Sequence, residues 1–162
     1  MLKKIISGGQ TGADIAGLEV AKKFGLQTGG WMPFGFKTLD GCKPEYAEMY
    51  GIVPHHSSSY VPRTRLNAKT GDGTIRLAYD FDSKGEVCTL RAIKDFGKPH
   101  FDVDLNDPPP VADVIAWLEE HNIETLNVAG NSEQTAEGTH EAVSAYLTEL
   151  LSELGLTDAR GN

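Results

Sequence analysis

The run Ser7-Gly8-Gly9-Gln10-Thr11-Gly12-Ala13-Asp14 gathers glycines, a hydroxyl, an amide and a carboxylate into one short stretch. Glycine lets a backbone approach an anion with no Cβ in the way, and N–H groups at a helix start favour negative charge. The chemistry on offer is phosphate binding by Gly8, Gly9, Gln10, Thr11 and Gly12. The spacing is neither the dinucleotide fingerprint nor a Walker A loop, since no Lys-Ser or Lys-Thr closes it. The same glycines also suit a plain strand-to-helix reversal. Asp14 has two readings: it complements the dipole of the first helical turn, or it meets a ligand hydroxyl or bridging cation. Arg63, Arg65 and Lys69 recur at helical spacing beside Tyr60, as an anion clamp or as a solvated face with surface pairs. Adjacent His55 and His56 in extended backbone point to opposite faces, so no metal is assigned. Trp31, Met32, Phe34 and Phe36 either cover a sheet or stack on a planar ring, and core packing is the preferred reading. Cys42 and Cys88 have no nearby partner and are read as buried or incidental thiols.

These groups need elements to hold them. Lys3 to Ser7 is β-prone, and Ile15, Leu18, Ala21 and Phe24 follow at helical spacing up to Gly25. Thr28 to Met32 predicts a short strand, and residues 33–60, rich in glycine and proline without a period, predict an irregular connection. Tyr60 to Lys69 reads as a helix, Thr74 to Tyr79 as a strand, and Val87 to Phe96 as a helix closed by Gly97. Phe101, Val103 and Leu105 alternate with polar residues, the period of a half-buried strand near a sheet edge. Val111, Val114, Ile115 and Leu118 mark a helix, Thr125 to Ala129 a strand, and Val143 to Leu154 a final helix. Strands alternating with helices imply an α/β, Rossmann-like three-layer fold, a mostly parallel sheet with helices on both faces. In such a sheet ligands bind beyond the strand C-termini, where the loops 7–14 and 130–138 both open.

Composition narrows the partners. With 15 Lys plus Arg against 23 Asp plus Glu the formal charge is -8, which disfavours nucleic acid. Forty per cent hydrophobic and 23% charged residues fit one globular domain, read as residues 1–156 with a frayed tail at 157–162. No apolar run approaches a membrane span or a signal sequence, and two separated cysteines suit a reducing cytoplasm.

Several segments taken together are familiar: Ser-Gly-Gly-Gln-Thr-Gly-Ala-Asp at 7–14, Gly-Gly-Trp-Met-Pro at 29–33, Leu-Asp-Gly at 39–41, Tyr60 with Arg63-Thr64 and Asn67, Asp-Gly-Thr at 72–74, Gly-Lys-Pro at 97–99, and Leu-Asn-Val-Ala-Gly at 126–130. In this order, over nearly the whole chain, they resemble the family described as molybdenum carriers, the circularly permuted YpsA-like branch of the Rossmann-like SLOG superfamily. The resemblance implies a phosphate-bearing or nucleotide-like ligand, with molybdenum cofactor or a nucleotide as the candidate cofactor, and a homo-oligomer. The superfamily also holds enzymes, related to lysine-decarboxylase-like proteins, that cleave nucleoside monophosphates with a Pro-Gly-Gly-x-Gly-Thr-x-x-Glu loop. Here residues 82–89 keep Gly85 and Thr89, place Lys84 and Glu86 at a glycine and a threonine position, and have Ala92 at the motif glutamate. Asn131-Ser132 stands at the place of a Pro-Arg pair.

The expected binding set is therefore Gly8, Gly9, Gln10, Thr11, Gly12, Asp14, Arg63, Asn67, Gly85, Thr89, Gly130 and Ser132, holding a small anionic ligand in a carrier or sensor. The rival is a nucleotide hydrolase or phosphoribohydrolase in which Glu86 or Glu133 activates water. A third possibility is a scaffold with a vestigial pocket.

Overall fold

The computed structural model describes residues 1–159. Five parallel strands form the central sheet: β1 (Lys4–Ile6), β2 (Gln27–Gly29), β7 (Gly73–Ala78), β8 (His100–Asp104) and β9 (Thr125–Gly130), in the order β2-β1-β9-β7-β8. Counted from β9 through β1, β2, β7 and β8, that order becomes 3-2-1-4-5, the classic doubly wound arrangement with its first strand moved to the end of the chain. The connections run away from each other on either side of β9 and β7, so the switch point of the sheet lies between them.

The two faces differ in chemistry. Helices α1 (Ala13–Lys23), α5 (Val111–Glu120) and α6 (Thr139–Glu153) cover one face, where Ile5, Ile75, Leu77, Leu126 and Val128 meet Ala16, Val114, Leu147 and Leu151 in the main apolar core. Helices α3 (Tyr60–Thr70) and α4 (Lys84–Phe96) cover the other, with Ala68, Ala92 and Ile93 between them. Because side chains alternate along a strand, Thr74 and Arg76 of β7 point opposite to Ile75 and Leu77. Both are buried, as is Asn127, which bonds Thr74, so this second face is polar along the middle of β7 and β9. At the edge, β8 has the expected half-buried alternation.

Several expectations change in detail. The strand read over 28–32 divides at Gly30, whose φ of 124° and close approach to the Ser7 carbonyl leave no room for a Cβ. Upstream lies β2; downstream, β3 (Trp31–Met32) leaves the sheet and pairs with β6 (Val53–Pro54). The irregular connection contains a 3-10 turn (Phe34–Phe36), a hairpin of β4 (Lys37–Thr38) and β5 (Gly41–Cys42), and α2 (Tyr46–Tyr50). These elements are too short for periodicity to register. Met32, Tyr50 and Ile52 tie the excursion to Ile15 and Leu18 of α1, whereas Phe34 stays exposed, so the aromatic cluster is core only in part. His55 and His56 lie beyond β6 and stack on each other at 4.2 Å instead of facing apart. Helix α4 starts at Lys84, earlier than its apolar spacing suggests, because the first turn is polar. Asp158 pairs with Lys23 and the Ala159 N–H bonds the Lys23 carbonyl; residues 160–162 of the expected frayed tail lie outside the described residues.

Leu147 is fully buried in the main core, whereas Val87 is 48% exposed on α4. Leu147→Ala should lower unfolding free energy by about 2–5 kcal/mol in urea titration, and Val87→Ala by less than about 0.5 kcal/mol.

Candidate functional site

A cavity of about 290 Å³ opens at the switch point, walled by the end of β9, the turn after β1, the start of α4 and one face of α3. It takes in Gly8, Gln10, Asp14, Arg63, Asn67, Gly85, Thr89, Gly130 and Ser132 from the expected set. Gly9, Thr11 and Gly12 instead line a second depression with Glu19, Lys43, Glu133 and His140. One turn thus contributes to two surfaces.

Glycine is required where walls nearly touch. A Cβ on Gly130 would run into the Leu77 carbonyl and, at 2.6 Å, Ala13 Cβ; one on Gly8 would strike Arg63 and lie 2.9 Å from Asp14 Oδ2. Most N–H groups of the 7–14 turn are engaged within the protein. Gly9 donates to Ser7 Oγ, Gln10 to Asp14 Oδ2, Thr11 to Gln10 Oε1, and Ala13 to the Asn131 carbonyl. Asp14 is buried, and its carboxylate occupies the mouth of this turn 3.7 Å from Arg63 Nη1. Burial pushes its pKa up to about 6 against the pull of Arg63 and the backbone donors of Gln10 and Gly8. Gln10 Oε1 also accepts from Leu39 N–H, fastening the β4–β5 hairpin to the cavity rim.

The start of α4 is differently built. Ser83, its N-cap, makes no side-chain capping bond, and no bond within the protein engages the N–H groups of Lys84, Gly85 or Glu86 among the described residues. A Cβ on Gly85 would meet nothing within 4 Å. Free amides at a helix N-terminus facing a cavity favour an anion.

Of the basic residues on α3, Arg63 enters the cavity wall while Arg65 pairs with Asp95 and Lys69 lies over the Phe96 ring. The expected basic face is therefore split. Asn67 lines the cavity, but its amide is bonded to both backbone groups of Trp31, so it pins β3 to α3. Asn131 likewise holds Tyr79 and Asp80 N–H and the Asp80 carbonyl, locking the loop after β7 to that after β9. Thr89 bonds back to the Gly85 carbonyl, and Ser132 closes a turn on Thr135.

Glu86, in the first turn of α4, is 2% exposed. Burial pushes its pKa up to about 7; Arg76 pulls it down and Asp14, Asp102 and Asp80 push it further up. Its Oε2 sits 3.5 Å from Arg76 Nη1, yet accepts no hydrogen bond; Arg76 gives Nε and Nη2 to Asp102 and one Nη1 N–H to the Glu86 backbone carbonyl. Glu133, the other candidate base, accepts from the N–H groups of Gly138 and His140 and so closes the start of α6. Cys88 is half-buried at the cavity wall and Cys42 is exposed, so neither is a core thiol. The sequence reading missed Arg76. Its signal was an arginine inside an otherwise apolar strand, readable only once Asp102 is known to lie opposite.

Fold and site together define a Rossmann-like protein with a small polar cavity at the strand C-termini. The circularly permutated YpsA SLOG family matches residues 5–151, and the chain belongs to that family. A crystal structure described as a "putative molybdenum carrier protein" from Syntrophus aciditrophicus SB is 32% identical, with a TM-score of 0.85 over 93% of this chain and 95% of that one. No curated protein matches the chain. No helix among the described residues is long and apolar enough to cross a membrane.

Both raised carboxyls set a pH dependence. Unfolded, they ionise near 4; folded, Asp14 holds its proton to about 6 and Glu86 to about 7. The folded state then binds more protons across that window, so these groups cost stability as pH rises through it. Between pH 4 and 8, chemical denaturation should show Asp14→Asn and Glu86→Gln each losing less stability than the parent, by on the order of 2–3 kcal/mol. Parallel curves would refute the assignment.

Proposed function

We propose that this protein is a carrier or sensor that holds a phosphate-bearing ligand, nucleotide-like or pterin-like, in the cavity beyond β1, β9 and β7. The observation that carries the reading is that two sources of unmet donors border one space: the free amides opening α4, and Arg63, a cavity-lining residue whose Nε is buried without a partner. A bound oxyanion satisfies both, and Lys84 at the helix start adds a cation in an acidic chain. The upper wall, Leu39, Tyr60 and Val61, offers apolar surface to a ring. Molybdenum cofactor, a phosphate-bearing pterin, fits this division into an anionic and a planar end, in keeping with the description of the Syntrophus protein. Asp14 faces a ligand hydroxyl in this reading, and Gly8 and Gly130 keep the wall thin enough to admit it.

Hydrolysis is disfavoured because Glu133 is committed to α6 and Ala92 stands where the related glycosidases carry their glutamate. The reading extends to a cytoplasmic homo-oligomer, supported by exposed Phe34 and Val53 on neighbouring elements. Light scattering should then give a multiple of 17.5 kDa.

The test is a melting-shift panel of AMP, GMP, a dinucleotide, a pterin and molybdate, with chromatography for released base. At about 100 times the dissociation constant, a true ligand stabilises by roughly 2.7 kcal/mol. Arg63→Met should weaken binding at least about tenfold, the worth of one charged hydrogen bond. Released base that disappears in Glu86→Gln would overturn the carrier reading, and no shift with any compound would leave a scaffold.

A further inference from the structure

Two buried side-chain polar atoms among the described residues lack a hydrogen-bond partner, Arg63 Nε and Glu86 Oε2, and both residues line the same cavity. One is a donor and the other an acceptor. A fully ionised oxyanion brings acceptors only: it meets Arg63 and the α4 amides but leaves Glu86 Oε2 bare. It also adds negative charge beside a carboxylate that already faces Asp14 from α1, Asp102 from β8 and Asp80 from the loop before α4. The cation facing Glu86 is Arg76 from β7, and three of its five N–H groups are directed to Asp102 and to the Glu86 backbone carbonyl. Thr89, one turn along α4, gives its hydroxyl to the Gly85 carbonyl. Oε2 itself accepts no hydrogen bond within the protein.

We propose that the oxyanion binds together with one proton, shared between a ligand oxygen and Glu86 Oε2, so that Glu86 couples anion binding to the uptake of a proton. The inference rests on the reading that the cavity holds an anion at the start of α4. The proton converts a repulsive carboxylate–oxyanion contact into a short O–H···O bond and satisfies the remaining orphan atom. Such a proton is available near neutrality, since a phosphate monoester has its second pKa at about 6 and burial holds Glu86 near 7.

Isothermal titration of the full chain with AMP and with sulfate, from pH 6 to 8.5 in two buffers of different ionisation heat, tests this. Sulfate does not titrate in the range, so any proton taken up with it goes to the protein. The wild type should take up about one proton per anion at pH 8, its affinity falling about tenfold per pH unit above the Glu86 pKa. Uptake should persist in Asp14→Asn and vanish in Glu86→Gln, whose sulfate affinity should be flat with pH. Buffer-independent heats in the wild type overturn the proposal without recourse to a variant. So does uptake lost in Asp14→Asn but kept in Glu86→Gln. A pH-independent sulfate affinity with AMP weakened at every pH in Glu86→Gln would show Glu86 accepting from a ligand hydroxyl instead, and also overturns it. If neither anion binds, the proposal fails; a melting shift with other members of the panel would show that the ligand-binding reading survives it.

Discussion

One guanidinium shared unequally between two carboxylates organises the polar half of this protein. Arg76 is buried on β7, between Ile75 and Leu77 along its own strand, and burying a charge there is costly unless it is paired and hydrogen-bonded. Asp102, directly across the ladder, meets that need with two bonds of 2.6 and 2.8 Å. Glu86 is then the surplus acid, held at 3.5 Å with no hydrogen bond to its Oε2. The sheet face that carries this network cannot close over an apolar core, and the cavity stands where packing gives way to unmet polar groups.

The moved strand explains how remote segments come to share that cavity. With the first strand of the doubly wound order placed last in the chain, the wall combines an N-terminal turn, a central helix pair and a C-terminal strand end. The contacts that join them are backbone-close: Ala13 N–H on the Asn131 carbonyl, and Gly130 against Leu77. Each works only because a glycine or a short polar side chain lies at the crossing. The opposite face supplies the stability, with α1, α5 and α6 burying aliphatic side chains against β1, β7 and β9. Cohesion and site chemistry are thereby separated onto the two faces of one sheet.

The glycine turn at 7–14 and the start of α4 look alike as strand-to-helix entries but differ in what fills them. In the first, Asp14 folds back and occupies the turn's own donors. In the second, no capping side chain does so. A carboxylate already seated among amides competes with an incoming anion, whereas free amides do not.

The sequence by itself determined the alternation of strands and helices, the edge character of β8, the glycine-bearing turns and the family, because periodicity, turn chemistry and ordered motifs are local. It also named Asp14, Arg63, Gly85 and Gly130, residues whose types announce anion or close-approach chemistry. Only the tertiary structure decided which of their polar groups are free. Asn67 looks like a ligand contact until its amide is seen bonded to Trp31, and Glu133 looks like a base until it is found closing α6. Arg76 carried no functional signal until β8 placed Asp102 opposite it. Availability of a donor or acceptor depends on partners distant in sequence, and neither spacing nor composition encodes those partners.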